Sequence, residues 1–171
     1  GGTINNYSGA LGGTIDVTGD SKIDGHATLN KGAVTVESGI ALTLDDATVA
    51  GTAVANHGTV KVDASKKLTL NGASLSGGAL TVSGTLDSSG NTAVINANIS
   101  NSSLIEAIGG VLALAATTTA TISNAGGTIQ ANGGELDING EAVTNTGTLA
   151  AINDSTLKLI SMTVTNTGGT V

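Results

Sequence analysis

Three acidic residues near the N-terminus have the spacing that comes closest to a metal site. Asp16, Asp20 and Asp24 follow one another at intervals of four residues. Carboxylate oxygens in a loop can bind calcium, so these three residues are a weak candidate for a calcium site. Their spacing matches neither the EF-hand loop nor the glycine-rich nonapeptide repeat that binds calcium. We therefore expect that the protein requires no metal.

Two adjacent carboxylates and two histidines are the other groups that could take part in catalysis. Glycoside hydrolysis needs two positioned carboxylates, and a catalytic histidine needs a nucleophile or an acid within reach. His26 and His57 are isolated from such groups in the sequence. We interpret Asp45 and Asp46 as solvated turn residues after a strand that ends at Leu44, and both histidines as exposed turn residues. The sequence thus predicts a protein that is not an enzyme and has no cofactor.

The composition excludes several classes of function. The 171 residues include six Lys, no Arg and 13 acidic residues, with a net charge of −7. Nucleic acid and anionic lipid are bound by clustered cations, so we expect neither as a partner. The absence of Cys excludes disulfides and thiolate metal sites. No apolar run reaches the roughly 18 residues of a membrane-spanning helix. Because aromatic residues make up only 1%, the core must consist of small aliphatic side chains.

An internal repeat determines the predicted architecture. Residues 143–149, Val-Thr-Asn-Thr-Gly-Thr-Leu, match residues 164–171 and 122–129 at offsets of 21. Weaker copies continue the series toward the N-terminus, and we align all of them on one apolar anchor per unit. Successive anchors are separated by 21–25 residues. The anchors are Ile4, Leu29, Val54, Leu75, Ile99, Ile122, Val143 and Val164.

Each unit contains three short apolar clusters of period two, separated by Gly, Asn, Asp and Ser. Such alternation indicates strands with one buried face. Three strands per unit predict an all-β fold, a right-handed parallel β-helix with three sides and about eight coils of 21–25 residues. We expect the least regular coil at the most helix-like stretch, residues 103–116. The predicted core residues are Val60, Val62, Leu68, Leu70, Ile129, Leu136, Ile138, Leu149, Leu157 and Leu159.

An Asn two residues after the anchor recurs through the repeat. Asn tolerates the left-handed backbone of tight turns, and stacked Asn side chains can form a ladder of amides. We therefore predict that these residues form a structural turn ladder; a row of amides that binds a ligand is the alternative. They are Asn6, Asn56, Asn101, Asn124, Asn145 and Asn166, of which the last five make up the predicted ladder.

The residues on either side of the anchors are nearly all Thr, Ser, Ala or Asn. If the anchors point inward, these flanking residues form a flat, weakly polar face like those of ice-binding solenoids. Only the last unit contains a true Thr-x-Thr pair, Thr163 and Thr165. Ice binding is therefore one alternative function. A carbohydrate-active enzyme on the same scaffold is the other.

The units Val-Thr-Asn-Thr-Gly-Thr-Leu and Ile-Ser-Asn-Ala-Gly-Gly-Thr-Ile resemble the repeats of large bacterial surface proteins. Among these are autotransporter passengers, filamentous-haemagglutinin-like proteins and giant repeat adhesins. The resemblance covers nearly the whole chain and carries no active-site residue with it. It implies export to the cell surface or the extracellular space and a role as a stalk or adhesive rod. Neighbouring repeats, a glycan and a host or cell-surface protein are the partners that it implies.

We interpret residues 1–171 as a single solenoid segment, because the repeat covers nearly the whole chain. We expect this segment to be an internal fragment of a longer repeat protein. The ends of a solenoid expose strand edges and a slice of core, so we also expect end-to-end self-association.

Overall fold

The computed structural model describes residues 1–9 and 11–171, and every regular element in those residues is a β-strand. The strands contain two to six residues, because Gly, Asn, Asp and Ser turns interrupt each apolar alternation after a few positions. The first nine are β1 (Thr3–Asn5), β2 (Tyr7–Ser8), β3 (Leu11–Gly12), β4 (Thr14–Val17), β5 (Ser21–Ile23), β6 (Thr28–Asn30), β7 (Ala33–Val36), β8 (Ala41–Leu44) and β9 (Ala47–Ala50). The next nine are β10 (Ala53–Asn56), β11 (Thr59–Val62), β12 (Lys67–Asn71), β13 (Ser74–Ser76), β14 (Ala79–Val82), β15 (Thr85–Ser89), β16 (Thr92–Ile95), β17 (Asn98–Asn101) and β18 (Leu104–Gly109). The remaining strands are β19 (Val111–Ala115), β20 (Thr121–Asn124), β21 (Thr128–Asn132), β22 (Glu135–Asn139), β23 (Ala142–Asn145), β24 (Thr148–Ile152), β25 (Thr156–Ile160) and β26 (Thr163–Asn166).

Three parallel sheets of eight strands each form the sides of the coil, which confirms the predicted three-sided β-helix of about eight coils. The chain visits the three sheets in turn, and β2 and β3 form a small antiparallel hairpin in the first coil. The right-handed sense of the winding stays a prediction. Sheet 1 contains β1, β6, β9, β12, β15, β18, β21 and β24; sheet 2 contains β4, β7, β10, β13, β16, β19, β22 and β25; sheet 3 contains β5, β8, β11, β14, β17, β20, β23 and β26.

Small aliphatic side chains from all three sheets fill one continuous interior. Leu157 is half-buried against this core, and Leu159 is 40% exposed, so Leu159 was wrongly placed in the core. Both lie on β25, the edge strand of sheet 2, and have a neighbouring coil on one side only. The other predicted core residues are buried: Val60, Val62, Leu68, Leu70, Ile129, Leu136, Ile138 and Leu149.

The anchors of the predicted repeat lie on three different sides of the coil, so their alignment was wrong. Each anchor comes shortly before a corner, and the corners share similar turn sequences. Asn56-His-Gly-Thr closes the corner between sheets 2 and 3, whereas Asn145-Thr-Gly-Thr closes the corner between sheets 3 and 1. Because one turn motif serves different corners, alignment on it places different sides of the coil in one column. Ile4 pairs with Leu29 in sheet 1, Val54 pairs with Leu75 in sheet 2, and Ile99, Ile122, Val143 and Val164 form one column of sheet 3.

The strand register also corrects the predicted length of the coils. Asp45 and Asp63 lie one coil apart and are separated by 18 positions in the sequence. Asn5 and Asn30, which pair between β1 and β6, are separated by 25 positions. The shortest coils are therefore shorter than the predicted range allows, whereas the longest agree with it.

The stretch at residues 103–116, which we expected to be the least regular, forms strands β18 and β19. It does contain an irregularity, because Ser88 pairs with Ala107 while the adjacent Ser89 pairs with Gly109. The bulge leaves one extra residue, Ile108, unpaired and 38% exposed.

Candidate functional site

A group of charged side chains lies at the corner between sheets 3 and 1 in the first three coils. We call Lys22, Asp45, Lys61 and Asp63 the ionic corner. Lys22 Nζ lies 2.6 Å from Asp45 Oδ2 and 4.0 Å from Asp63 Oδ2. Lys61 Nζ lies 3.3 Å from Asp63 Oδ1. The register explains this grouping, because Thr43 pairs with both Lys22 and Lys61, and the two lysines therefore stand in one column of sheet 3.

Asp45 is fully buried, so its interpretation as a solvated turn residue was wrong. Burial by itself would raise the pKa of this carboxyl group. The hydrogen bond from Lys22 and the backbone N–H of Asp63, which donates to Oδ1 over 2.9 Å, instead hold the pKa of Asp45 below its ordinary value. The hydrogen bond with Asp45 likewise raises the pKa of Lys22. An ionised Asp45 thus connects residues from three successive coils.

Asp46, the adjacent carboxylate, has different partners. Its backbone is left-handed, with φ of 48°. Lys66 Nζ donates to Oδ2 over 2.7 Å, and the backbone N–H of Lys67 donates to Oδ1 over 3.2 Å. The hydrogen bond from Lys66 lowers the pKa of Asp46. The two adjacent carboxylates are therefore both held in the ionised form, by separate lysines.

A second polar group lies on sheet 1, where Asp87 pairs in register with Glu106. Like charges directly opposite each other destabilise a strand pair, and nearby side chains offset this repulsion. Lys67 forms an ion pair with Asp87. Glu106 Oε2 accepts hydrogen bonds from Asn132 Nδ2, over 2.9 Å, and from Gln130. This group could not be predicted from the sequence, because only the correct coil register brings its members together.

The calcium candidate residues Asp16, Asp20 and Asp24 are spread around the first coil. Asp16 is exposed on β4 of sheet 2, and Asp24 is exposed beyond β5 of sheet 3. Asp20 Oδ1 accepts a hydrogen bond from the backbone N–H of Ala41 over 2.9 Å. Nowhere in residues 1–9 and 11–171 are three His, Cys, Asp or Glu side chains grouped so that they could hold a metal ion.

Four Asn residues form a ladder of side-chain amides inside the C-terminal half of the rod. Asn101, Asn124, Asn145 and Asn166 each end a strand of sheet 3 and stack in register. The Nδ2 atom of each of the first three donates to Oδ1 of the next Asn, over 2.8, 2.7 and 2.8 Å. Asn124 Nδ2 also lies 3.0 Å from the backbone carbonyl of Gly127 in the turn that follows. The first three amides are buried, so they are not displayed to a ligand.

The ladder differs from the predicted one in two respects. Asn56 lies outside it, on sheet 2, where its Nδ2 donates to the backbone carbonyl of Ala79 over 2.9 Å. The left-handed backbone was also a wrong explanation, because these Asn residues do not have a positive φ. What they share is an amide that satisfies backbone groups of the corner. The non-Gly residues with positive φ in the described part of the chain are His26, Lys31, Asp46, Ser65, Asn96, Asn153, Asp154 and Ser161.

Both histidines are exposed, as predicted. His26 has a φ of 61° and lines a shallow depression together with Asp46 and Lys67. His57 is the outward residue of the Asn-His-Gly corner between sheets 2 and 3.

The flat face of small residues is shorter than predicted. Half of the residue pairs that flank the anchors lie on sheets 1 and 2. The other half lie side by side on β17, β20, β23 and β26 of sheet 3. We call this second set the hydroxyl face. It consists of Asn98 and Ser100, Thr121 and Ser123, Ala142 and Thr144, and Thr163 and Thr165, all of them exposed.

A shallow groove of about 520 Å³ crosses four coils at the corner between sheets 1 and 2. Small residues such as Gly51, Gly72, Ala93 and Ala113 line it. The groove exists because small residues recur at this corner in successive coils.

No protein-family model, no curated protein and no solved structure matches this chain. The described residues contain no helix that is long and apolar enough to cross a membrane.

Proposed function

We propose that this chain is a non-catalytic β-solenoid rod that serves as a stalk or adhesive module of a secreted or cell-surface bacterial protein. The observation that carries the proposal is the unbroken pairing of eight strands in each of three parallel sheets. Every interior coil is hydrogen-bonded to the coils on both sides. At a spacing of about 4.8 Å per coil, the stack extends roughly 35–40 Å. Such a rod acts as a spacer whose length is set by its number of coils.

Ion pairs between successive coils support the proposed role as a spacer. Lys22 pairs with Asp45, Lys66 with Asp46 over 2.7 Å, and Lys158 with Glu135 over 2.5 Å. Each pair joins residues that lie about one coil apart in the sequence. These ion pairs therefore reinforce the contacts along the rod.

The spacer function can be tested with pairs of spin labels, because the chain contains no Cys. One outward column of sheet 3 runs from Thr59 to Thr163 over five coil spacings, which is about 24 Å. Labels on Thr59→Cys and Thr163→Cys should give a narrow distance distribution near that value. The control pair Thr121→Cys and Thr163→Cys spans two spacings, about 10 Å. A broad distribution for the first pair, or equal distances for both, would contradict a rigid spacer.

The adhesive part of the proposal concerns the partners of the rod. These are neighbouring coils of a longer repeat protein, a second copy stacked end to end, and a glycan or a host or cell-surface protein. The hydroxyl face supports the glycan, because flat arrays of hydroxyl and amide groups can hydrogen-bond to sugar hydroxyls.

A glycan array probed with the labelled chain tests the adhesive part separately. Ser100→Lys combined with Ser123→Lys should abolish binding, since both residues lie on the hydroxyl face. The matched control is Thr35→Lys with Ser76→Lys on the outward side of sheet 2, which should retain it. Binding that resists the first pair of changes, or no binding to any glycan, would remove the glycan from the proposal and leave the spacer role intact.

A further inference from the structure

Glu141 differs from the other acidic residues that the structure describes. The residue is 1% exposed. Both of its carboxylate oxygens are buried and have no hydrogen-bond partner. It lies immediately before β23, at the corner between sheets 2 and 3. A buried carboxyl group without a partner is unfavourable, above all when it is ionised.

The column in which Glu141 stands is otherwise apolar in the neighbouring coils. The strand register places Ala97, Ala120 and Met162 at the equivalent position. Ala97 and Ala120 are buried, and Met162 packs half-buried against the core. Glu141 therefore stands between Ala120 in the preceding coil and Met162 in the following coil.

The charged residues on the strands around this corner have partners of their own. On β22 and β25 these residues are Glu135, Asp137 and Lys158, and Lys158 Nζ lies 2.5 Å from Glu135 and 3.8 Å from Asp137. Strands β20, β23 and β26 carry no charged residue. Burial is accordingly the cause that raises the pKa of Glu141 to about 7.

We propose that Glu141 is a pH-sensitive switch that controls how tightly the C-terminal coil packs on the rest of the rod. When protonated, the side chain is accommodated in the apolar column. When ionised, it is hydrated, and the coil that carries Met162 separates from its neighbour. Strand β26 is the part that moves, because Met162, the residue before it, packs only half-buried against the core, whereas Ala120 on the other side of Glu141 is buried.

The direction of the pH dependence follows from the two states of the carboxyl group. Its ordinary pKa is 4.5, whereas the pKa in the folded chain is about 7. Between these values the folded state binds more protons than the unfolded state, so the free energy of unfolding falls as pH rises. Opening of the C-terminal coil should increase over the same range and level off above it.

Nuclear magnetic resonance can test the switch in two ways. A titration of the Glu141 side-chain carbonyl carbon should have its midpoint near 7. Hydrogen-exchange protection of β26, corrected for the intrinsic rate, should fall at least about tenfold between roughly pH 5 and pH 8, since one pKa unit corresponds to a factor of ten. Protection of β14, in the middle of the rod, should fall less, because β14 pairs with β11 and β17, which lie outside the coil of Glu141.

Two variants serve as controls for the exchange measurement. Glu141→Gln retains the shape of the protonated group, and Glu141→Ala reproduces the residue type at positions 97 and 120 in the same column. In either variant the protection of β26 should become independent of pH. A midpoint near 4.5, or a variant that keeps the pH dependence of the original chain, would overturn the proposal.

Discussion

The corner between sheets 3 and 1 is closed differently in the two halves of the rod. In the second, third and fourth coils, the last inward residue of the sheet 3 strand is apolar, and the first three coils also carry the ionic corner. In the fifth to eighth coils that residue is Asn, and hydrogen bonds between side-chain amides connect the coils. The residues in register are Leu44, Val62 and Val82 in the first group, and Asn101, Asn124, Asn145 and Asn166 in the second.

Two positions of this corner differ in how freely their residue can vary: the Gly of the turn and the last inward residue of the sheet 3 strand. Val82-Ser-Gly-Thr and Asn145-Thr-Gly-Thr are turns of equal length at equivalent positions. A Cβ atom on Gly84 or Gly147 would lie 2.2 or 2.0 Å from a carbonyl oxygen of the preceding coil. In these two turns Gly is therefore required by the close approach of the backbone, whereas Ser103 stands at the same position in the turn after Asn101. The inward residue is free to be apolar or Asn, but each Asn is best satisfied when its neighbours in the column are also Asn.

The largest loss of folding stability is expected when the amide ladder is interrupted in its middle. Asn124→Val removes a buried amide that bonds to Asn101, Asn145 and the backbone carbonyl of Gly127. Because buried polar groups lose their partners, the free energy of unfolding should fall by about 2–4 kcal/mol. Chemical denaturation measures this change.

Asn166→Val is the matched control, because Asn166 is the exposed end of the ladder. It should cost less than about 1 kcal/mol. Equal costs at both positions would mean that the ladder does not act as a connected unit.

A smaller loss of folding stability is expected when the ionic corner loses its buried carboxylate. Asp45→Ala removes the buried carboxylate but leaves Lys22 partly in water, where its charge is solvated and screened. The cost should therefore be about 1–2 kcal/mol, below that of breaking a fully buried ion pair.

Because of the ionic corner, we also expect the stability of the fold to depend on pH in the acidic range. Because the pKa of Asp45 is lowered on folding, its contribution is present above its ordinary value of 3.8 and is lost as pH falls through the folded value. Thermal melts of the original chain should thus show a steeper loss of stability in acid than those of Asp45→Ala. Parallel curves for the two proteins would contradict the ion pair.

The smallest effect should come from extending the ladder by one coil. Val82 stacks on Asn101, so Val82→Asn places a new amide next to an existing one. The gain of a hydrogen bond offsets part of the lost apolar burial, and the net cost should be about 1 kcal/mol. Val62→Asn, which has no Asn neighbour in its column, is the control and should cost more in the same denaturation experiment. If Val82→Asn costs as much as Val62→Asn, neighbouring amides do not stabilise each other.

Period-two alternation around Val60, Leu68 and Leu136 was sufficient to predict three strands per coil and most of the core. The placement of the corners could not be predicted, because the turn after Asn56 and the turn after Asn145 are alike and lie at different corners. The burial of Asp45 depends on Lys22 in the preceding coil, and therefore becomes visible only once the register is known.

The coupling free energy between Asn124 and Asn145, measured by a double-mutant cycle, tests the register and the ladder together most directly. We predict that Asn124→Val and Asn145→Val are coupled by about 1 kcal/mol or more, because the two amides share a hydrogen bond. Asn56→Val and Asn124→Val should instead be additive within about 0.5 kcal/mol, since these residues lie on different sheets. Additive effects at Asn124 and Asn145 would contradict both the register and the ladder.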